Sequence, residues 1–365
     1  MKNKKEVTAP AVSVGADTGQ PLNVTNNSIS NHKPKSNSQI LETVSMAELY
    51  DTVYPSKPPL VDGLLYAGVY LFAGAPKLGK SFLMAQIAYH ISRGIPLWDY
   101  PARKATVLYL ALEDDYRRLQ ERLYRMFGME GADNLFFSVS AGSLGNGLDG
   151  QLQEFLKQHT ETRLVIIDTL QKVREYGGDN YSYANDYEII TRLKRFADRY
   201  GICILLVHHT RKQGSNDKFD MISGTTGLLG AADGAFLLQK EKRTGNAATL
   251  EISGRDQQDQ KLYLVRNVET LIWELERVET ELWKEPPEPI LEKIAEIFLS
   301  GSKQWEGSPT ELCKFLGLSL KPNVLTLKLN VNAGRLVREY GIYYDRKRCH
   351  GGRKVLLWTD KEEKA

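Results

Sequence analysis

The feature that most constrains this sequence is a short glycine-containing segment between an apolar run and a helix-like stretch. Gly74 to Ser81 reads G-x-x-x-x-G-K-S, with the apolar run 69–72 before it and the apolar-rich stretch 82–91 after it. The first run predicts a buried strand and the second a helix that begins at the loop. Glycine lets a backbone turn tightly and approach a ligand closely. The chain is therefore expected to contain an α/β domain with this loop at the end of a strand.

The same spacing is that of a phosphate-binding loop, in which backbone N–H groups surround the phosphates of a nucleotide. Lys80 can reach the β- and γ-phosphates, and the Ser81 hydroxyl can ligate Mg²⁺. The helix dipole adds positive charge at the phosphates. A chance glycine turn is the alternative. We predict that ATP is bound by nine consecutive residues, Gly74, Ala75, Pro76, Lys77, Leu78, Gly79, Lys80, Ser81 and Phe82.

Downstream of the loop, apolar runs alternate with amphipathic stretches, as in a mostly parallel sheet covered by helices. The runs lie at 106–112, 163–168 and 202–207, and the helical stretches lie near 115–127, 149–158 and 185–200. Short apolar runs at regular spacing follow at 236–238, 248–252, 262–265 and 271–273. They predict an antiparallel extension of the same sheet.

Composition divides the chain further. Residues 1–40 are rich in Asn, Ser, Lys and Thr and predict a disordered segment. The Pro-rich stretch 284–289 predicts a linker, so the ATPase domain is expected over 41–283, beginning with a short helix near 40–51. Residues 290–358 predict a winged helix-turn-helix domain with three helices and a basic hairpin. The helices are expected at 290–299, from the capping box Ser308–Glu311 onward, and at 322–340. Residues 359–365 are expected to form a tail.

Charge distribution, apolar run length and cysteine content indicate the partners and the location of the protein. Residues 301–358 carry eleven Lys or Arg against four Asp or Glu, whereas 41–300 are net acidic, so the C-terminal domain is expected to meet a polyanion. No apolar run has the length of a membrane span, so we expect no membrane partner. The three cysteines are far apart, which favours neither a disulfide framework nor a metal motif and suggests a cytoplasmic protein.

Hydrolysis of ATP needs a carboxylate near Mg²⁺ and a group that positions water. Asp168 ends the apolar run 164–167, where a metal-site carboxylate belongs, although it can also cap the segment after it. Residue 169 is Thr, so another strand must supply the base. We favour Glu113, on the expectation that its strand lies beside the phosphate-loop strand. Capping of the next helix, with Asp114 and Asp115, is the alternative.

Two histidines, His208 and His209, end the strand at 202–207. Neighbouring strand residues face opposite sides, so at most one can point at the γ-phosphate and act as a sensor. An ordinary polar strand end is the alternative.

Five segments in this order resemble RecA-like ATPases of the RepA helicase group, which serve plasmid and mobile-element replication. They are 74–81, 110–114, 165–169, 207–212 and 223–233, and the resemblance covers about 55–275. It implies a P-loop ATPase with Lys80 and Ser81 on phosphate and Mg²⁺, Asp168 supporting the metal, Glu113 as base and one histidine as sensor.

The resemblance further implies a ring of six identical subunits that hydrolyses ATP at its interfaces, with an arginine from the neighbour. Arg255 falls where that arginine is expected; Arg211 and Arg243 are rivals, and a surface salt bridge is the alternative. Loops 171–184 and 211–224 would contact single-stranded DNA in the ring pore, or else be solvated loops. Candidate DNA contacts there are Lys172, Arg174, Lys212 and Lys218, with Tyr176, Tyr181 or Tyr183 stacking on bases.

The predicted winged helix has cations on its third helix and in its hairpin. A winged helix can place that helix in the major groove of duplex DNA and its wing on the backbone, although such domains also bind proteins. The candidates are Lys321, Lys328, Arg335, Arg346, Lys347, Arg348, Arg353 and Lys354.

The sequence thus favours an ATP-hydrolysing motor on DNA, a ring helicase with possible replication partners. A DNA-binding initiator or regulator that uses ATP only as a switch is the alternative. A small-molecule P-loop kinase fits less well, because Glu113 and the histidines suit activation of water.

Overall fold

The fold was obtained as a computed structural model, which describes residues 43–54, 58–174, 183–210, 218–222, 226–240, 242, 245–255, 257–280, 287–299, 304–349 and 352–359. The side chains of Thr226, Leu299, Arg348 and Cys349 are not described. Packing divides the chain into residues 1–46 and 47–365, and both sheets lie in the second unit. The expected disordered segment 1–40, half of the linker (284–286) and the tail from 360 onward lie outside the described residues.

A nine-stranded sheet forms the centre of the larger part of this second unit. Its strands are β1 (Gly68–Gly74), β2 (Thr106–Ala111), β3 (Leu135–Ser138), β4 (Thr162–Asp168), β5 (Cys203–His209), β6 (Gly234–Gln239), β7 (Ala247–Gly254), β8 (Gln260–Arg266) and β9 (Trp273–Thr280). The order across the sheet is β3-β2-β4-β5-β1-β6-β7-β8-β9. The first six in that order are parallel, and β7 to β9 are antiparallel. The predicted architecture, a mostly parallel α/β sheet with an antiparallel extension, is confirmed.

Helices cover both faces of the sheet. They are α2 (Lys80–Arg93), α3 (Tyr116–Phe127), α4 (Leu148–Gln158), α5 (Leu170–Val173), α6 (Tyr183–Tyr200) and α7 (Thr226–Ala231), preceded in the chain by α1 (Met46–Asp51). The side chains of the six parallel strands alternate between two apolar clusters, whereas the described buried side chains of β7–β9 join only the cluster that contains α2 and α3. One packs α2 and α3 against the sheet, and the other packs α4 and α6. This alternation explains why the parallel strands are apolar on both sides.

Strand order corrects one expectation. The strand that leads to Glu113, β2, pairs with β3 and β4, so two strands separate it from β1. The expected adjacency to the phosphate-loop strand is therefore wrong. All of these strands are parallel, however, and their carboxyl ends still meet at one edge of the sheet.

The C-terminal part has its own apolar cluster and a three-stranded antiparallel sheet of order β10-β12-β11. Its elements are α8 (Pro289–Leu299), β10 (Gln304–Gly307), α9 (Pro309–Phe315), α10 (Pro322–Val331), α11 (Ala333–Tyr340), β11 (Ile342–Cys349) and β12 (Gly352–Thr359). The predicted capping box is present at Ser308, whose N–H donates to Glu311 Oε2 at 2.7 Å. The single helix expected at 322–340 is instead two helices, because the chain leaves helical geometry at Asn332 (φ −99°, ψ 13°).

The segment 47–54 packs on this C-terminal part. Asn330 Nδ2 donates to the Tyr50 carbonyl at 2.9 Å, and Val53 packs against the C-terminal apolar cluster. Asp51 accepts from Arg346 at 2.7 Å and from Arg353 at 3.4 Å, one on each strand of the β11–β12 hairpin. The segment 47–54, which the sequence assigns to the ATPase domain, therefore contacts the C-terminal part.

Candidate active site

The phosphate loop follows β1 and ends where α2 begins. Lys80, the first residue of α2, is 6% exposed, and its Nζ donates to the carbonyls of Gly74 at 2.9 Å and Ala75 at 3.1 Å. Gly79 has φ +103°, a conformation that side chains rarely adopt. The Lys80 ammonium is thus held inside the loop.

Burial lowers the pKa of Lys80, and the carboxylates of Asp168 and Glu113 act in the opposite direction. At Lys80 the effect of burial on the pKa thus outweighs that of the two nearby carboxylates. The environment of the ammonium favours an anion at the loop.

Asp168 ends β4 and lies next to the loop. It is 5% exposed, its carboxylate is hydrogen-bonded to the Ser81 side chain, and its Oδ2 accepts from the Tyr109 hydroxyl at 2.8 Å. Burial raises the pKa of Asp168, while the hydrogen bonds from Ser81 and Tyr109 lower it. A hydroxyl and a carboxylate are the hard oxygen ligands that Mg²⁺ takes beside nucleotide phosphates, so Ser81 and Asp168 fit that ion.

Glu113 reaches the same edge from β2, because Ala111 lies in register with Asp168 on β4. Its Oε1 accepts from the Thr169 hydroxyl at 3.3 Å, and its charge acts on the pKa values of Lys80, Asp168 and His209. The carboxylate is therefore turned toward the loop.

The two acids that follow Glu113 have other partners. Asp115 is the N-cap of α3, with its Oδ1 accepting from Arg118 N at 2.9 Å, and Asp114 forms an ion pair with Arg122 at 2.6 Å. The capping role considered for Glu113 belongs to Asp115.

The histidine pair divides between the two faces of the sheet, as expected from strand alternation. His208 is buried, whereas His209 Nδ1 lies 3.4 Å from Lys80 Nζ. Burial and then the charge of Lys80 lower the pKa of His209, which keeps the imidazole neutral at physiological pH. Of the two, His209 is the one that contacts the loop.

A comparison with known protein families agrees with this geometry. Residues 34–215 match the model of a family described as an AAA domain. The chain contains an AAA-type P-loop domain. No curated protein matches the chain significantly.

Several hundred chains of solved structures resemble this one, and two of them illustrate the likeness. One is an isolated ATPase domain, at 18% identity and a TM-score of 0.48, covering 58% of this chain and 85% of that one. The other is a DnaB-like replicative helicase, determined with its interactions with primase, at 18% identity and a TM-score of 0.48, covering 60% of this chain and 62% of that one. The chain thus spans under two thirds of the second structure.

Sequence reasoning missed several residues around the loop of this AAA domain. Tyr109 and Thr169 hold the two carboxylates. On the other side of the loop, the Arg266 guanidinium lies 5.6 Å from the Phe82 ring and 5.7 Å from the Trp273 ring, and Lys240 Nζ lies 5.5 Å from Trp273. Thr169, Lys240, Arg266 and Trp273 lie at or next to strand ends, which is the signal that the sequence offered for them, whereas Tyr109 lies inside β2 and has the pattern of a core aromatic residue.

Arg255 is not part of the site of its own chain. It follows β7, whose last residue Gly254 pairs with Gly234 at the start of β6, so it lies at the edge of the sheet opposite the phosphate loop. It is exposed, and its guanidinium donates to the Gly230 carbonyl at 3.2 Å. The rivals Arg211 and Arg243 lie outside the described residues.

The loop cations differ in their availability to DNA. Lys172 is exposed, and Lys218 is exposed but forms an ion pair with Glu251. Arg174 is buried in an ion pair with Asp186 at 2.9 Å, which opposes the predicted DNA contact. Tyr183 is 53% exposed and stacks on Tyr187. Lys212, Tyr176 and Tyr181 lie outside the described residues.

Most of the C-terminal cations are paired with acids. Besides Arg346 and Arg353 with Asp51, the pairs are Lys328–Glu288 at 2.9 Å, Arg335–Glu339 at 2.6 Å and Lys354–Glu306 at 2.8 Å. Lys321 and Lys347 are exposed, and the side chain of Arg348 is not described. The positive excess of this part is therefore partly neutralised within the chain.

Within the described ranges, no helix is long and apolar enough to cross a membrane.

Proposed function

We propose that this protein is a Mg²⁺-dependent ATPase that drives a DNA helicase, acting as a ring of six identical subunits in plasmid or mobile-element replication. The observation that carries the proposal is the grouping of Lys80, Asp168, Glu113 and His209 at one sheet edge. Hydrolysis of ATP requires a cation at the phosphates, a carboxylate near Mg²⁺ and a group that positions water, and a sensor would respond to the γ-phosphate.

In this mechanism Lys80 binds the β- and γ-phosphates, and Ser81 and Asp168 would hold the metal ion. Bound there, Mg²⁺ would neutralise charge that develops on the phosphates. Glu113 orients a water molecule for in-line attack and accepts its proton, and its exposure gives water access.

His209 is suited to sense the γ-phosphate. An ammonium group is a donor only, so Nδ1 of the neutral imidazole accepts from Lys80 and Nε2 carries the proton. That N–H can donate to a phosphate oxygen. Loss of the γ-phosphate would remove a partner from His209, which lies directly before the proposed DNA loop 211–224.

A neighbouring subunit of the ring would supply a further positive charge to the site. Arg255 is exposed and lies on the far edge of the sheet from its own loop, so it would act on the nucleotide of a neighbouring subunit. An arginine of this kind contributes about 10³–10⁵ in rate.

For DNA, we propose two contacts. Loops 171–184 and 211–224 follow β4 and β5 at the catalytic edge and would follow single-stranded DNA in the pore, with Lys172 and Lys218 at phosphates. The C-terminal part would be a winged helix. Its helix and strand order and its sheet order β10-β12-β11 support that assignment, and Lys347 in its hairpin is exposed. Duplex DNA would bind there.

The test compares ATP binding, ATP hydrolysis and unwinding of a forked DNA by the full chain. We expect Lys80→Ala to abolish turnover, and Glu113→Gln to bind ATP without cleaving it. Asp115→Asn, a nearby capping carboxylate, serves as the control and should keep wild-type turnover. Rapid hydrolysis by Glu113→Gln would remove that residue from the mechanism.

The unwinding arm separates the two classes of function. Strand separation with ATP consumption stimulated by single-stranded DNA supports the helicase. Tight binding of duplex DNA without strand separation would replace it with the ATP-switched initiator or regulator.

A further inference from the structure

Tyr109 has a buried hydroxyl at a core position where a phenylalanine would also pack. Its side chain is fully buried on β2, and its ring lies 5.5 Å from that of Phe137. The hydroxyl donates to Asp168 Oδ2 at 2.8 Å and lies 3.5 Å from the Ser81 carbonyl. A buried hydroxyl is costly unless it is hydrogen-bonded. Here its bond goes to the carboxylate proposed to hold the metal.

Thr169 makes the corresponding contact to the other carboxylate. It is 1% exposed, and its hydroxyl donates to Glu113 Oε1 at 3.3 Å. Thr169 is also the N-cap of α5, but its side chain makes no capping hydrogen bond. The Thr169 hydroxyl therefore does not cap the helix, which is the usual role of a threonine at an N-cap position.

We propose that Tyr109 and Thr169 are positioning residues, Tyr109 for the metal-holding carboxylate of Asp168 and Thr169 for the base Glu113. The inference rests on the proposed function. Asp168 ends β4 and Glu113 lies two residues beyond β2, and in each a hydrogen bond from a buried neighbour holds one of the two carboxylate oxygens. The Tyr109 hydroxyl therefore acts on metal binding, and the Thr169 hydroxyl acts on the chemical step.

The first experiment measures metal binding rather than activity. Tyr109→Phe removes one oxygen and keeps the ring that packs in the core. We expect the affinity of the nucleotide-bound protein for Mn²⁺, read by electron paramagnetic resonance, to fall about 10–100-fold. Binding of a fluorescent ATP analogue in EDTA should stay unchanged. Tyr89→Phe is the matched control, since Tyr89 donates to Glu130 at 3.3 Å away from the loop.

The second experiment concerns the chemical step. Thr169→Val keeps the shape of the side chain and removes the hydroxyl, so kcat should fall about tenfold or more, with KM and the Mn²⁺ affinity unchanged. Thr169→Ser should restore kcat. Thr162→Val, at the opposite end of β4 from Asp168, is the control; this buried threonine donates to the His159 carbonyl at 2.6 Å.

The outcomes separate the inference from the function on which it rests. Wild-type Mn²⁺ affinity in Tyr109→Phe, or wild-type kcat in Thr169→Val, overturns the role of that residue while the ATPase assignment stands. Equal losses of metal binding and kcat in both variants would overturn the division of work and leave only a structural role. If the wild-type chain neither binds nor cleaves ATP, the proposed function fails, and the inference fails with it.

Discussion

The buried ion pair between Arg174 and Asp186 allows a sharp test of whether Arg174 serves DNA or the fold. The two side chains are 8% and 0% exposed, and their charged atoms are 2.9 Å apart. Exposed ion pairs contribute about 0.2–1 kcal/mol, whereas removing one partner of a buried pair costs about 3–5 kcal/mol, because a charge stays buried without its counter-ion. Arg174→Gln should therefore lower the free energy of unfolding by about 3–5 kcal/mol, a factor of about 10² to 10⁴ in the folded-to-unfolded ratio.

Urea denaturation followed by far-UV circular dichroism measures this loss. Lys172→Gln, two residues away and exposed, is the control and should change the free energy of unfolding by no more than about 0.5 kcal/mol. Arg174→Met combined with Asp186→Leu should recover most of the loss, since no lone charge remains. If Arg174→Gln unfolds like the control but binds single-stranded DNA more weakly, the structural role is refuted and the DNA contact restored.

Two further predictions concern the phosphate loop and the C-terminal hairpin. Gly79→Ala should reduce the affinity for a fluorescent ATP analogue, because a Cβ at φ +103° would lie 3.2 Å from the Trp273 ring; unchanged binding would show that the loop tolerates a side chain there. Asp51→Asn should raise the affinity for duplex DNA about two- to fivefold, the equivalent of a partly exposed ion pair, by releasing Arg346 and Arg353. Fluorescence anisotropy at several salt concentrations measures it, and an unchanged affinity would mean that these arginines do not meet DNA.

The sequence predicted what depends on local pattern. The phosphate loop, the parallel strands and the end of β4 at Asp168 follow from glycine spacing and apolar runs, and the structure has them at the expected residues. Strand alternation also separated His208 from His209, although only the structure shows that His209 contacts Lys80.

Sequence pattern could not predict what depends on strand order and on distant partners. Apolar periodicity carries no information on which strands are neighbours, so β2 was expected beside β1 and is found beside β4. For the same reason the hydrogen bond from Tyr109 on β2 to Asp168 on β4, which are 59 positions apart, could not be predicted from the sequence. Arg174 looked like any loop cation, because its counter-ion Asp186 is contributed by a later helix.

The docking of residues 47–54 on the C-terminal sheet also bears on how the protein is made. Asp51 and Arg346 are 295 positions apart, so Asp51 is synthesised long before Arg346. Val53 and the Tyr50 carbonyl must wait through synthesis of the whole ATPase core before their surface appears. The contacts of the segment 47–54 with β11 and β12 can therefore form only after nearly the whole unit 47–365 has been synthesised.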